Sequence, residues 1–285
     1  MPAPLLAVDT PSLLYRAFFA LPKSIKGADG KPVNALLGAA NMLLQAVADF
    51  KPRAVVCCFG AEAGAYPVKA FPAYHADRPP MPAELEHQWA LAPEFLAACG
   101  WSSLDAGDLE ADDLLGQLAK LESEAGGKTL IFSGDRDMFQ CASKQVAVLY
   151  PARGGPQLIG PAEVSERSGV EPHQIPDLIA LRGDPSDGIP GAQGIGEKGA
   201  AQLLAEFGSL EAVIEAAEDA ASEMTPRTRA ALVADPPLLL AFKEMATLQP
   251  IKLKRPKDAS LDAVRGAAAA RKLGMNRLAE RLEQA

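Results

Sequence analysis

Histidine and cysteine are both scarce in this chain, at three and four residues in 285. The cysteines (Cys57, Cys58, Cys99 and Cys141) have no metal-ligand spacing. Together these facts argue against a zinc site and fit buried thiols in a reducing compartment. No apolar run approaches the ~20 residues of a membrane span, and the N-terminus has no basic-then-apolar leader. A soluble, cytoplasmic protein with no membrane contact is therefore expected. An excess of Lys and Arg is also missing: 28 bases face 36 acids, for a net charge of −8. Taken as a total, that charge speaks against a nucleic-acid partner.

What is present is enough for a sizeable core, with 48% hydrophobic and 22% charged residues. Part of the apolar fraction is alanine, at 53 residues, which adds little core volume. The length suits one large domain or two modest ones. The charge is unevenly spread. Residues 101–140 hold nine acids and three bases, residues 1–60 six bases and three acids, and residues 225–258 seven bases and three acids. An acidic centre thus lies between mildly basic regions.

Short apolar runs at Leu5–Val8, Ala54–Phe59 and Thr129–Phe132 read as buried parallel strands. Helical spacing follows over Asn34–Phe50 and Glu110–Leu121. Strands alternating with helices predict an α/β fold with a mostly parallel central sheet. Between Gly60 and Pro82, five prolines forbid a regular helix, and so long an irregular stretch suggests a functional lid. From Ile175 onward helices dominate: Gln202–Phe207, Leu210–Ala217, Arg227–Val233, Leu238–Thr247 and Leu261–Glu283. A boundary near residue 172 divides the chain into residues 1–172 and a helical 173–285.

Asp9 and Asp135 follow predicted strands at the sheet edge where open α/β folds bind ligands. Asp137 stands two residues on, and Glu110, Asp112 and Asp113 open a helix. Each acid alone could be a helix cap or a first-turn charge. As a set, they would repel one another unless protonated or neutralised by cations. Carboxylates without His or Cys suit hard ions such as Mg²⁺ or Mn²⁺. Paired ions ~3.5–4 Å apart activate water and stabilise both oxygens of an in-line phosphoryl displacement. Asp184 and Asp187 precede Pro190-Gly191-Ala192-Gln193-Gly194-Ile195-Gly196-Glu197-Lys198, whose glycines could offer backbone N–H groups to a phosphate.

With these motifs in order, the chain resembles the 5′-nuclease family. That family comprises flap endonucleases, the 5′-to-3′ exonuclease domain of bacterial DNA polymerase I, and stand-alone bacterial relatives. Val8-Asp9, Tyr15-Arg16-x-Phe18, Glu110-Ala111-Asp112-Asp113, Ser133-Gly134-Asp135-Arg136-Asp137, Gly183-Asp184-x-x-Asp187 and the glycine hairpin all match. The resemblance implies a PIN-like nuclease domain with an arch segment over 60–98, and a helix-three-turn-helix that grips duplex DNA. It places Asp9, Glu110, Asp112, Asp113, Asp135, Asp137, Asp184 and Asp187 on the family's carboxylates for two or three Mg²⁺ or Mn²⁺ ions. It implies a K⁺ ion on main-chain carbonyls near Leu181, Pro190, Ala192 and Ile195. Tyr15, Arg16, Lys69, Arg78, Gly191, Gly194, Gly196 and Lys198 fall to DNA binding, with Arg16 and His75 also nearest the chemistry. The implied activity is cleavage of DNA with 5′ ends, flaps or branches in replication and repair. A monomer is expected, with a separate DNA polymerase as a candidate partner.

Four departures qualify the resemblance. Phe59-Gly60-Ala61 stands where the family has Phe-Asp-Ala. Pro67 and His75 align with an arginine and a lysine of the arch, and Gly188 replaces an asparagine. A catalytically weakened protein that binds branched DNA is therefore a second reading, and a PIN-type ribonuclease a third.

Overall fold

The computed structural model describes residues 3–61, 63–76, 78–219 and 221–285. In chain order the elements begin with β1 (Leu5–Asp9), α1 (Thr10–Ala20), α2 (Asn34–Phe50), β2 (Ala54–Phe59), α3 (Ala65–Ala70) and α4 (Ala83–Ala98). Then come β3 (Ser102–Asp105), α5 (Ala111–Glu124), β4 (Thr129–Phe132), β5 (Val146–Tyr150), β6 (Gln157–Ile159) and α6 (Pro161–Ser168). The remainder is helical: α7 (Ile175–Arg182), α8 (Glu197–Phe207), α9 (Leu210–Glu218), α10 (Pro226–Val233), α11 (Pro236–Ala246), α12 (Ala263–Lys272) and α13 (Asn276–Glu283). Among the described residues no helix is long and apolar enough to cross a membrane.

The strands form one sheet in the order β3-β2-β1-β4-β5-β6, parallel throughout except for β6. The three apolar runs are its central strands and are buried along their whole length, because helices cover both faces. Alternate residues of β1 serve different cores. Leu5 and Ala7 face the core under α5 and helices α7 to α11, while Leu6 and Val8 face the core under α1, α2 and α4. Asp9 pairs with Cys58 at the end of β1, so the sheet itself delivers this carboxylate to its C-terminal edge.

Two expectations need correction. The proline-rich segment does contain a short helix, α3, with Pro67 in its first turn, where a missing N–H costs nothing. The expected continuous helix over Leu261–Glu283 is two helices broken at Gly274, which has φ +81°. The helices after residue 173 pack in two places, α7 to α11 on the core under α5 and α12 and α13 elsewhere. After α11 the chain runs without regular structure back across the first layer. Arg255 and Arg53 clamp the buried Glu122 there, Arg255 through two 2.9 Å hydrogen bonds. The Ala259 N–H then donates to the Arg53 carbonyl. Ala267, Ala270, Leu278, Ala279 and Leu282 of α12 and α13 join the core of α1, α2 and α4.

Candidate active site

The C-terminal edge of β1 and β4 opens into a cavity of about 530 Å³. Asp9, Glu110, Asp112, Asp113, Asp135, Asp137 and Asp187 all line it. Asp184 does not, although its charge reaches Asp135 and Asp137. Local bonding explains how each acid is held. Asp9 caps α1 by accepting from the Ser12 N–H at 3.0 Å. Its other oxygen accepts from the Ser133 hydroxyl at 2.5 Å, and Ser133 Oγ accepts in turn from the Asp135 N–H at 3.0 Å. Asp135 accepts from the Asp137 N–H at 2.9 Å, which folds the two acids into one turn. Glu110 accepts from the Gly64 N–H at 2.7 Å and the Tyr74 hydroxyl at 3.1 Å, so the arch segment fixes its direction.

Asp113 is differently employed. One oxygen accepts from the Glu110 N–H as a reciprocal helix cap, and the other accepts from the Gln249 N–H at 2.6 Å. Both oxygens are already engaged by backbone donors, which makes Asp113 the anchor of the returning segment. Asp184 is likewise turned onto its own loop: Ser186 donates to it through N–H (2.9 Å) and hydroxyl, and Arg182 lies 3.5 Å away.

The crowding has an electrostatic signature. Burial, with added repulsion from Asp135, pushes the Asp9 carboxyl up to about 6. Burial also pushes Asp112 and Asp137 well above the ordinary carboxylate range, with neighbouring acids adding to it. Desolvation raises Glu110 and Asp135 as well. Asp135 is open to water on one side, but the concave wall around it removes enough solvent to disfavour its charge. A divalent cation would relieve this repulsion. The donors are all hard oxygens, so their chemistry fits Mg²⁺ or Mn²⁺. Among the described residues no three such groups are gathered closely enough to hold an ion as they stand. The carboxylates are instead spread along the cavity wall.

The departures now have physical explanations. A Cβ on Gly60 would meet Ala111 N at 2.5 Å, the Glu110 carbonyl carbon at 2.6 Å and Leu109 O at 2.8 Å. The backbone of 109–111 has closed over this position, leaving no room for an aspartate. Pro67 is buried. His75 lies against the site rather than in solvent: its ring stacks on Tyr74 at 3.9 Å, and Nε2 is 2.8 Å from Asp187 Oδ1. Its backbone N–H donates to Asp187 O at 3.1 Å, and its φ is +54°. A Cβ on Gly188 would meet the Ala73 carbonyl at 2.9 Å, so the 187–188 turn docks tightly on the arch.

Of the residues expected to approach DNA, Tyr15 and Arg78 line the cavity, Arg78 3.5 Å from Asp187. Arg16 and Lys69 are exposed outside that lining, Arg16 donating to the Pro151 carbonyl at 2.8 Å. Lys198 is exposed in the first turn of α8. In the hairpin, Gly191 and Gly194 have φ +68° and +79°. The Leu181 carbonyl accepts from Ala192 N–H at 2.8 Å and the Ala192 carbonyl from Ile195 N–H at 3.0 Å. Gly196 has open space where a Cβ would be. The sequence reading missed the Gln249 bond to Asp113 and the Trp89 ring, which meets Tyr15 edge-on at 6.4 Å on the cavity wall. Neither has a local signal, because each depends on residues tens to more than a hundred positions apart.

A mostly parallel α/β layer with acids at its C-terminal edge and a helical extension defines a resolvase-like nuclease fold. The model of the 5′-3′ exonuclease N-terminal resolvase-like domain matches residues 4–169, and that of the 5′-3′ exonuclease C-terminal SAM fold matches residues 170–269. The chain therefore belongs to the 5′-3′ exonuclease family. It is similar to a 5′-3′ exonuclease of Mycobacterium tuberculosis, 35% identical over 100% of this chain and 98% of that protein. It is also 42% identical to the thermostable DNA polymerase I of Thermus thermophilus over 210 residues, which is 74% of this chain. It spans only about a quarter of the length of the DNA polymerase I relatives it matches (24% and 25%). In fold it resembles the T5 D15 protein co-crystallised with metal ions, with TM-score 0.72 at 16% identity over 98% of both chains. The catalytic core of Rad2 in complex with DNA substrate gives 0.63 at 16% identity, over 98% of this chain and 91% of that one.

Proposed function

We propose that this chain is a divalent-metal-dependent 5′-to-3′ exonuclease and flap endonuclease that hydrolyses phosphodiester bonds of DNA with 5′ ends, flaps or branches. The observation that carries the reading is the convergence of seven acids from four separate sequence segments on one cavity walled by the arch segment. Asp9, Glu110, Asp112, Asp135, Asp137 and Asp187 would hold Mg²⁺ or Mn²⁺. Bound there, such ions supply water activation and charge stabilisation at the scissile phosphate. The chain's own groups do the rest. Ser133 and Tyr74 orient Asp9 and Glu110, and His75 and Arg78 hold Asp187. Tyr15 and Trp89 exclude water from the apolar wall. The hairpin from Pro190 to Lys198, with K⁺ on the carbonyls near Leu181, Pro190, Ala192 and Ile195, would grip the duplex backbone without reading bases. The protein would act in the cytoplasm as a monomer beside a separate DNA polymerase.

A second reading, a branched-DNA binder with slow turnover, is favoured by one observation. Pro67 brings no charge to the arch, and His75 is committed to Asp187. Incubation with Mn²⁺ of a 5′-flap duplex, the same duplex without a flap, and single-stranded RNA separates these possibilities. Cleavage of the flap that EDTA abolishes is the expected result. Tight flap binding without products favours the second reading, and products from RNA alone reject both.

A further inference from the structure

A second cavity, of about 160 Å³, lies directly behind Asp137, which lines both cavities. Arg136, Arg167 and Arg182 ring it, with Phe139, Ile175 and Leu178 forming an apolar base. Three guanidinium groups around one small hollow repel one another unless an anion is shared between them. Nearby carboxylates neutralise them incompletely. Arg182 is 3.5 Å from Asp184 and 3.8 Å from Glu197, both long contacts, and its Nε is buried with no hydrogen-bond partner among the described residues. Among the described residues Arg167 donates only to a neutral amide, Gln157 Oε1, at 2.7 Å. Arg136 is exposed and has no ion-pair partner among the described residues. A hollow of about 160 Å³ has room for a phosphate group. Guanidinium forks are the side chains best shaped to bind phosphate oxygens in pairs.

We infer that this hollow is a phosphate-binding subsite, and that its ligand is a backbone phosphate of the DNA strand passing from the acidic cavity toward the glycine hairpin. The position carries the second half of the inference. Asp137 forms the wall on the side of the acidic cavity, and Glu197, the residue after Gly196 of the hairpin, forms the other. The subsite therefore bridges the two places that the proposed function assigns to DNA, and it rests on that reading. It gives the strand a fixed anchor next to the chemistry, independent of base identity.

The test is the affinity of a 5′-flap duplex, followed by fluorescence anisotropy from 50 to 200 mM salt. It compares wild type, Arg136→Gln/Arg167→Gln, Arg136→Lys/Arg167→Lys and Gly194→Val. All four are first matched for thermal unfolding midpoint, and the lysine pair keeps the inference testable if the glutamine pair folds poorly. Each phosphate contact contributes about 0.9 to the slope of log K against log salt. The glutamine pair is expected to bind at least tenfold more weakly with a slope shallower by about 1–2, while the lysine pair keeps most of the slope. Unchanged affinity and slope in the glutamine pair, while Gly194→Val binds weakly, would overturn the subsite and leave the DNA reading standing. If wild type itself shows no flap affinity, the DNA reading fails and the subsite with it. Inorganic phosphate that raises the midpoint of wild type but not of the glutamine pair, with DNA affinity equal in both, would overturn the strand assignment in favour of free phosphate.

Discussion

Gly60 offers a quantitative test because it stands where relatives by resemblance carry an aspartate. If a metal ligand had merely been lost, Gly60→Asp should restore it and speed cleavage. The structure predicts the opposite. A Cβ there would sit 2.5–2.8 Å from three backbone atoms of Leu109, Glu110 and Ala111. None of these is the tip of a flexible side chain, so relief requires moving the start of α5. Overpacking of this kind costs about 1–3 kcal/mol, and the upper end applies because backbone must yield. For a chain of this size, about 3 kcal/mol lowers the unfolding midpoint by roughly 6–12 °C. The same shift displaces Glu110 and Asp112, so cleavage should fall as well. Differential scanning calorimetry and single-turnover cleavage of a 5′-flap duplex measure both effects, for Gly60→Asp and for Gly60→Ala. Gly60→Ala carries the steric cost without the new charge. An alanine variant with wild-type midpoint and rate would refute the argument, as would a faster aspartate variant.

Glu122→Gln removes the charge that two arginines share, and breaking a buried pair from one side costs about 3–5 kcal/mol. Burial raises the Glu122 carboxyl, but hydrogen bonds from Arg255 and Arg53 outweigh it and hold the group below its ordinary value. The stabilisation is therefore present above the unfolded pKa and lost as pH falls through the lower folded one, so urea titrations should show the wild-type advantage at pH 7 shrinking below about pH 4. Gly194→Val introduces a Cβ at φ +79° and 3.1 Å from the Arg227 guanidinium, so duplex affinity should fall several-fold, whereas an unchanged anisotropy titration would make the hairpin a plain turn. His75→Ala removes the ring from Tyr74 and the bond to Asp187, so single-turnover cleavage should slow roughly tenfold, about 1.4 kcal/mol, with flap affinity nearly unchanged.

The central strands were legible because β1, β2 and β4 are buried on both faces and read as unbroken apolar runs. Edge strands β3 and β6 were not, since Ser102–Asp105 is partly exposed and lacks that pattern. The acids were visible as motifs because strand ends and helix starts place them locally. Their separate duties were invisible. The engagement of Asp113 with the Gln249 N–H joins residues 136 positions apart. His75 reads in sequence as a weak substitute for lysine. Only the fold shows it stacked on Tyr74 and tied to Asp187, because that pairing needs the arch and the 184–189 turn to meet. The return of α12 and α13 to the first layer was equally hidden, since an amphipathic helix does not name the surface it covers.

If the acidic cavity is the seat of cation-dependent hydrolysis, Asp112 is its most direct probe, a half-buried acid whose carboxyl is raised by desolvation and by four surrounding carboxylates. Single-turnover cleavage of a 5′-flap duplex in Mn²⁺ should be lost in Asp112→Asn by at least a thousandfold, about 4 kcal/mol, while flap affinity stays within several-fold of wild type. Cleavage by Asp112→Asn near the wild-type rate would contradict that assignment.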